Sequence, residues 1–418
     1  MAVDDPGGKS PERRFRWLWA AYAVSAYGSG FGFGALPLIA IGVLHAGPAA
    51  VSALAASGVA VGALIAVPLG PWVEFRRKRP VMIAMDLARF VMLAGVPVAF
   101  VFGVLSFAQL LVVSVVAAAG DITFKAASGA YLKTLVRPED LLVANARFES
   151  TTWTAQMVGP PLGGAAMGLL GPVVTVLVDA MSYLLSAAAI GAIGGGEPRP
   201  AHQRRSRVRM GELLDGWRYI FGHPGLRMTM ANAVLFSGLI LATEPPLAVL
   251  LVGDLGFAPW QYGLAFAVPC AGGLIGSRFA RPLAARFGRH RVMLVSGTLR
   301  ACWPLGLAFV GPGTTGLVLV IVIEFGLIVC IGVCNPLIAT YRLDHTPSDR
   351  VARTLSAWSI TTRATTAALT ALGGLLAAVT SPRAAIAVSG VLLLATPLLL
   401  PRHDHPASSE PELVTDPA

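Results

Sequence analysis

The sequence predicts an all-α membrane protein of twelve transmembrane helices arranged as a duplicated set of six, and three observations carry that prediction. The 418-residue chain is 55% hydrophobic and only 13% charged, with a mean hydropathy of +0.69, whereas soluble chains carry about 25% charged residues. About twelve apolar stretches of roughly 20 residues, each long enough to cross a hydrocarbon core about 30 Å thick, are separated by Gly, Pro or charge. The chain also repeats itself: GPWVEFRRKRPVM at 70–82 is echoed by RPLAARFGRHRVM at 281–293, an offset of 281 − 70 = 211 residues. Pro71 and Pro282, Val81 and Val292, Met82 and Met293, and then Arg89 and Arg300 coincide at that offset. Internal symmetry of this kind in membrane proteins belongs mainly to transporters.

Taken in order, the chain starts with a polar tail, 1–15, that has no short apolar region or cleavage site, so the first span at 16–42 is expected to stay. Its GSGFGFG run from Gly28 to Gly34 reads either as close helix packing or as a pliable wall. Spans two and three, 49–70 and 80–103, flank the first basic loop, and spans four to six follow at 106–134, 142–169 and 173–193. A hydrophilic interruption at 194–225 begins as a flexible basic linker. It ends in a helix with Leu213, Leu214, Trp217, Tyr219, Ile220 and Phe221 on one side, expected to lie on the cytoplasmic membrane surface. Six further spans at 226–252, 259–281, 292–311, 314–342, 351–379 and 383–400 lead to a tail at 401–418. The domains expected are therefore a helical half at 16–193 and another at 226–400.

Charge sets the orientation. Of 32 Lys and Arg, about 27 fall in the two tails and in alternate loops, while the intervening loops hold only Arg383. That asymmetry places both termini in the cytoplasm and explains the net charge of +10 without a nucleic-acid partner. Cys270, Cys302, Cys330 and Cys334 all lie inside spans and read as packing residues, and no metal site is expected. Other echoes support the duplication: Tyr131, Pro138 and Asp140 are answered by Tyr341, Pro347 and Asp349, and Gly163-Gly164 by Gly373-Gly374.

The two basic loops resemble the loop signature of the major facilitator superfamily, Gly-x-x-x-Asp-Arg-x-Gly-Arg-Arg. The first copy has Gly70, Glu74 in the acid's place, Lys78 and Arg79, but Phe75 and Arg77 where the family has Arg and Gly. The second has Arg286, Gly288 and Arg289, with Ala285 in place of the acid. PEDLLVANARF, MVGPPLGG and DAMSYLLSA, between Pro138 and Ala187, resemble in order and spacing the exporter branch that includes macrolide efflux proteins and the enterobactin exporter. Within AQMVGPPLGG, Gly159, Pro160, Gly163 and Gly164 match the family's antiporter signature. The resemblance runs from Trp17 to Leu400. It implies two six-helix bundles around a central cavity, alternating access, gating roles for the two loops, and a multi-pass monomer in a bacterial plasma membrane that needs no cofactor beyond the proton gradient.

Ionisable side chains inside spans cost about 2.5–3.5 kcal/mol each on insertion scales, so those retained are candidate functional groups. If the resemblance holds, spans one, four, seven and ten line the cavity and carry Asp121, Lys125, Glu244 and Glu324. Asp121 lies about 14 residues, or ~21 Å, into span four, near mid-depth. Lys125 follows it at i+4, so the two read either as a proton site or as a neutralised packing pair. Glu324 has no basic neighbour on its own helix and reads as a proton site or as a carboxyl hydrogen-bonded to another span. Glu244 precedes Pro245-Pro246, a gate or a structural kink. Arg363, about 12 residues into span eleven, is expected to seek a carboxylate, Glu324 among them. Glu149 and Asp179 are expected to hydrogen-bond locally near helix ends.

Phe31, Phe33, Phe124 and Phe236 belong to cavity-lining spans and suit an amphipathic organic substrate better than a sugar. The function expected is proton-coupled export of amphipathic small molecules, with a siderophore, metabolite or lysolipid as alternative cargo. An enzyme finds no nucleophile or metal-ligand constellation here, and Gly8-Lys9-Ser10 lacks the first glycine of a phosphate loop.

Overall fold

The computed structural model describes residues 11–401 apart from 75, 138–139, 195–209 and 348–349. The tails and most of the basic linker therefore lie outside the described residues. The helices, in order, are α1 (Pro11–Phe31), α2 (Ala35–Gly42), α3 (Pro48–Glu74), α4 (Lys78–Val101), α5 (Phe107–Leu135), α6 (Leu141–Leu170) and α7 (Pro172–Gly191), then α8 (Met210–Gly222), α9 (Pro224–Ala248), α10 (Pro259–Phe287), α11 (Arg289–Cys302), α12 (Gly313–Asp344), α13 (Val351–Val379) and α14 (Pro382–Ala395). Among the described residues, 10 helical segments are long and apolar enough to cross a membrane. The two expected spans not among them correspond to α3 and α6, which are nevertheless 27 and 30 residues long. Large apolar residues such as Val98, Val101, Leu169, Leu185 and Val322 stand exposed on the outside, as a lipid-facing surface requires.

Local chemistry explains where the spans begin and bend. Ser106 caps α5 by accepting from the Gln109 amide at 3.3 Å, and Ser381 caps α14 by accepting from the Ala384 amide at 3.1 Å. Span one breaks within its glycine run: α1 stops at Phe31, Gly34 adopts φ +77°, and α2 resumes at Ala35. In span seven, α9 runs straight through Pro245 and Pro246 and then widens into a π-helix at Val249–Asp254. The two prolines withhold the bonds to the Leu241 and Ala242 carbonyls, and the coil widens one turn later.

Within the first half α4 packs on α5 and α7, and α1 on α6 and α7; within the second α10 packs on α12, and α9 on α13 and α14. The halves meet through α3 against α13 and α6 against α10. Among the described residues the buried core is continuous between them at the end of the bundle remote from Pro11. There Leu38 and Ile39 of α2 join Leu247, Leu250, Leu251 and Phe257 in one cluster. At the end carrying the basic loops, the first half has its own cluster around Leu18, Met82 and Ile190, and the second another around Ile220, Met230 and Trp358. Among the described residues the halves thus share a core at the remote end and have separate cores at the terminal end.

The sequence suggests that 210–222 lies on the membrane surface. The helix is present, but Ile220 is buried, the Trp217 indole donates to Thr361 Oγ1 at 2.9 Å and Asp215 pairs with Arg353 at 3.2 Å, which docks α8 on α13. Leu214 and Phe221 remain on its exposed side.

Candidate functional site

The glycines of α6 and α13 set how closely the halves approach, and they do so symmetrically. Gly163 abuts the Phe31 backbone of α1, while Gly164 faces α10, where a Cβ would lie 3.0 Å from both Gly263 Cα and the Pro259 carbonyl. In the second half Gly373 faces Ala242 of α9, and Gly374 faces Ser52 and Pro48 of α3. Each pair of adjacent glycines therefore serves one contact inside its own half and one across the seam. Gly159 and Pro160 belong to the same surface: Gly159 lies on Gly30, and a Cβ on Gly263 would come within 2.6 Å of the Pro160 carbonyl.

Below that seam lies a cavity of about 380 Å³ between the halves. Its apolar wall includes Tyr22, Phe33 and Phe124 from the first half and Phe266 and Ile328 from the second; its charged groups are Asp121, Lys125 and Glu244. Asp121 and Lys125 pair at 2.8 Å with 43% and 55% of their side chains exposed, so the pair borders open space. An exposed i,i+4 pair contributes about 0.3–0.5 kcal/mol. Lys125→Ala is accordingly expected to lower thermal stability by no more than about 0.5 kcal/mol in a detergent melt, while removing a lysine from the cavity wall. Glu244 is exposed, and the space it faces is the cavity. Glu324 is half-buried behind the wall, close enough to interact electrostatically with both Glu244 and Cys270. Two carboxylates from α9 and α12 thus lie within Coulombic reach of each other in the second half.

Other expected site residues fall elsewhere. Phe31 packs on Gly163, and Phe236 lies under the Arg300 guanidinium at 4.0 Å, so neither lines the cavity. Arg363 is half-buried on α13 and makes no ion pair with Glu324 among the described residues. In the loops, the Arg79 guanidinium donates to the Gly194, Ile190 and Gly191 carbonyls at 3.1–3.4 Å, capping the end of α7. Lys78 Nζ donates to the Arg76 carbonyl at 2.7 Å. Arg289 reaches Asp344 of α12 at 3.5 Å, Gly288 adopts φ +86°, and Arg286 lies 5.2 Å from the Phe287 ring. Both loops thus clasp helices of their own half. The side chain of Glu74, the neighbourhood of Gly70 and the side chain of Glu149 lie outside the described residues.

The sequence reading missed two buried arginines. Arg89 of α4 is 1% exposed, ion-paired with Asp86 and stacked 4.1 Å over Tyr183 and 5.1 Å over Phe124. Asp179, expected to be near a helix end, lies inside α7, 8% exposed, within Coulombic reach of Arg89. Arg300 of α11 is 2% exposed, donating to Asn232 Oδ1 at 2.6 Å and Asn335 Oδ1 at 3.2 Å. The signal was available: Arg89 and Arg300 coincide at the 211-residue offset, and a charge kept twice inside a span is not a loop feature.

A profile of the Major Facilitator Superfamily matches residues 18–340 and again 247–416. The multidrug efflux pump Tap of Mycolicibacterium fortuitum is 26% identical over 318 residues, covering 74% of this chain and 76% of that protein. Among solved structures, a bacterial homologue of the iron transporter ferroportin in an inward-facing state superposes with a TM-score of 0.72 at 18% identity, covering 93% of this chain and 100% of that one. The nucleoside transporter NupG does so with a TM-score of 0.72 at 11% identity over 93% and 98% of the two chains. With a profile spanning most of its length, duplicated halves and a cavity between them, the chain belongs to the Major Facilitator Superfamily and is a membrane transporter, not an enzyme.

Proposed function

We propose that the protein exports amphipathic small molecules in exchange for protons, by alternating access, as a monomer in a bacterial plasma membrane with both termini cytoplasmic. The observation that carries this reading is the cavity itself: aromatic on both sides, bordered by Asp121–Lys125 and Glu244, with Glu324 adjoining, and closed on one side by a core shared between the halves. An amphipathic solute fits the aromatic walls, and a carboxylate standing in the transport path can exchange a proton with either side as the halves, 16–193 and 226–400, rock about the linker at 194–225. In this reading the present state is open to the cytoplasm and the sealed end faces outward. One proton moving through 100 mV supplies about 2.3 kcal/mol, which sustains a gradient of roughly 50-fold in a neutral solute. The similarity to Tap supports drug-like cargo.

The test is collapse of a preformed pH gradient in inverted vesicles on adding ethidium or a macrolide. Wild type is expected to dissipate the gradient, and Glu324→Gln or Glu244→Gln to reduce the rate at least about tenfold, as loss of a positioned proton carrier does. Asp121→Asn tests whether the pair with Lys125 takes part. Transport that survives all three substitutions, or that runs without moving protons, would refute the coupling.

A further inference from the structure

We propose that the buried Asp86–Arg89–Asp179 cluster is a proton-binding site of its own, filled and emptied through the Tyr183–Ser29 hydroxyl pair, so that the first half carries a proton besides the one assigned to Glu244 and Glu324. The proposal rests on the exporter reading above and extends it to a site that lines no part of the cavity.

Asp86, Arg89 and Asp179 are 0%, 1% and 8% exposed. One guanidinium faces two carboxylates; it is ion-paired to Asp86 and lies within Coulombic reach of Asp179. The Ser182 and Ser186 hydroxyls of α7 stand beside the two carboxyls and carry no charge. α5 contributes Asp121 and Lys125, already paired with each other, and α7 adds the Tyr183 phenol. α1 meets the cluster with glycines and the Ser29 hydroxyl. One negative charge is left without a partner in a region that cannot solvate it, and a proton removes it.

Buried oxygen atoms of the cluster are placed to receive that proton. Asp86 Oδ2, Asp179 Oδ1 and Ser186 Oγ are buried without a well-formed hydrogen bond, with the Ser186 hydroxyl beside Asp86 and the Ser182 hydroxyl beside Asp179. A proton on either carboxyl would turn an idle acceptor into a donor among these atoms.

The Tyr183 hydroxyl lies one turn from Asp179 on α7 and shares a 2.8 Å hydrogen bond with Ser29 Oγ, in which either can donate; Ser29 lines the cavity. α1 covers the cluster closely, since a Cβ on Gly32 would come within 2.6 Å of Asp179 Oδ2. Any shift of α1 against α7 would therefore change what Asp179 meets.

The duplicate half is the control. Arg300 occupies the equivalent position, equally buried and equally stacked on an aromatic ring, yet its partners are the amides of Asn232 and Asn335. Holding a buried arginine in this fold does not require carboxylates. Their presence in one half only is a chemical difference, not a packing need.

Infrared pH titration of the purified protein in lipid tests the site without any substrate. A protonated-carboxyl band is expected in wild type and in the Glu244→Gln, Glu324→Gln double variant, lost in Asp179→Asn and restored in Asp179→Glu. Tyr183→Phe and Ser29→Ala leave the charges in place and are expected to slow proton uptake after a pH jump by about tenfold. In proteoliposomes, the reversal potential of ethidium transport is expected to give two protons per ethidium in wild type and one in Asp179→Asn. A band unchanged in both Asp86→Asn and Asp179→Asn, or uptake unaffected by both hydroxyl variants, overturns the proposal. Failure of wild type to move ethidium would count against the exporter reading alone, because the infrared and pH-jump results stand without it.

Discussion

Arg89→Met is expected to destabilise the purified protein by about 3–5 kcal/mol, whereas Arg300→Met, the same change at the equivalent position, is expected to cost about 1–2 kcal/mol. The two arginines are almost equally buried and each stacks on a ring near 4 Å, so desolvation and packing lost are comparable. What differs is what each leaves behind. Removing Arg89 strands the buried Asp86–Asp179 pair without its guanidinium, and uncompensated buried charge is the large term when an ion pair is broken. Removing Arg300 strands two amide oxygens, one of which belongs to an Asn232 still anchored by donating to the Thr396 carbonyl at 2.7 Å. Neutral acceptors cost about 1–3 kcal/mol when orphaned, and the loss of a desolvated cation offsets part of that. Thermal melts in mild detergent, followed by tryptophan fluorescence, compare the two directly. Adding Asp86→Asn and Asp179→Asn to Arg89→Met should recover most of the loss. Equal destabilisation by the two methionine variants, or no recovery in the triple variant, would show that the arginines act only through packing.

This contrast also marks what a single sequence discloses. The spans, the duplication and the Asp121–Lys125 pair were legible because they depend on composition and on spacing along one helix, and an i,i+4 acid–base pair meets wherever the helix forms. Glu244 beside Glu324 was not legible, since it requires knowing the rotation of α9 against α12. Arg363 misled for the same reason: depth in a span says that a charge needs company, not which neighbouring helix supplies it. Phe236 and Phe266 exchange roles in this way. Membership of a lining span suggested Phe236, yet its ring lies under Arg300, while Phe266 of α10 faces the cavity. The docked face of α8 was hidden too, because an amphipathic pattern reads identically whether its apolar side meets lipid or protein. Repeat symmetry was the underused clue, for it names pairs of positions whose chemistry can be compared before any contact is known.

Gly263→Leu is expected to unseal the remote end of the bundle and to reduce transport at least about tenfold, and Gly374→Ala to act in the same direction at the other seam. The reason lies in what each new side chain meets. A Cβ on Gly263 would be 2.6 Å from the Pro160 carbonyl and 3.0 Å from Gly164 Cα, backbone atoms of α6 that have no rotamer to change. At Gly374 the nearest atom is Ser52 Cβ at 2.0 Å, which no side-chain rotation moves, with the Pro48 carbonyl at 3.3 Å, so the clash there falls on the other seam, between α13 and α3. Overpacking of the first kind costs about 1–3 kcal/mol, and because it burdens only the state in which α6 and α10 touch, the whole of it shifts the equilibrium between sealed and open forms. That is a change of roughly 5- to 150-fold in their ratio. Spin labels at His45 and Asp254, exposed on opposite halves near the sealed end, should report a longer distance in Gly263→Leu in a background with the four cysteines replaced. A transporter needs both states, so a variant held open at one end should still bind substrate there while failing to carry it across. Unchanged label distances together with lost transport would instead place the effect inside one half, and the glycine seam between α6 and α10 would then be packing alone, with no part in gating.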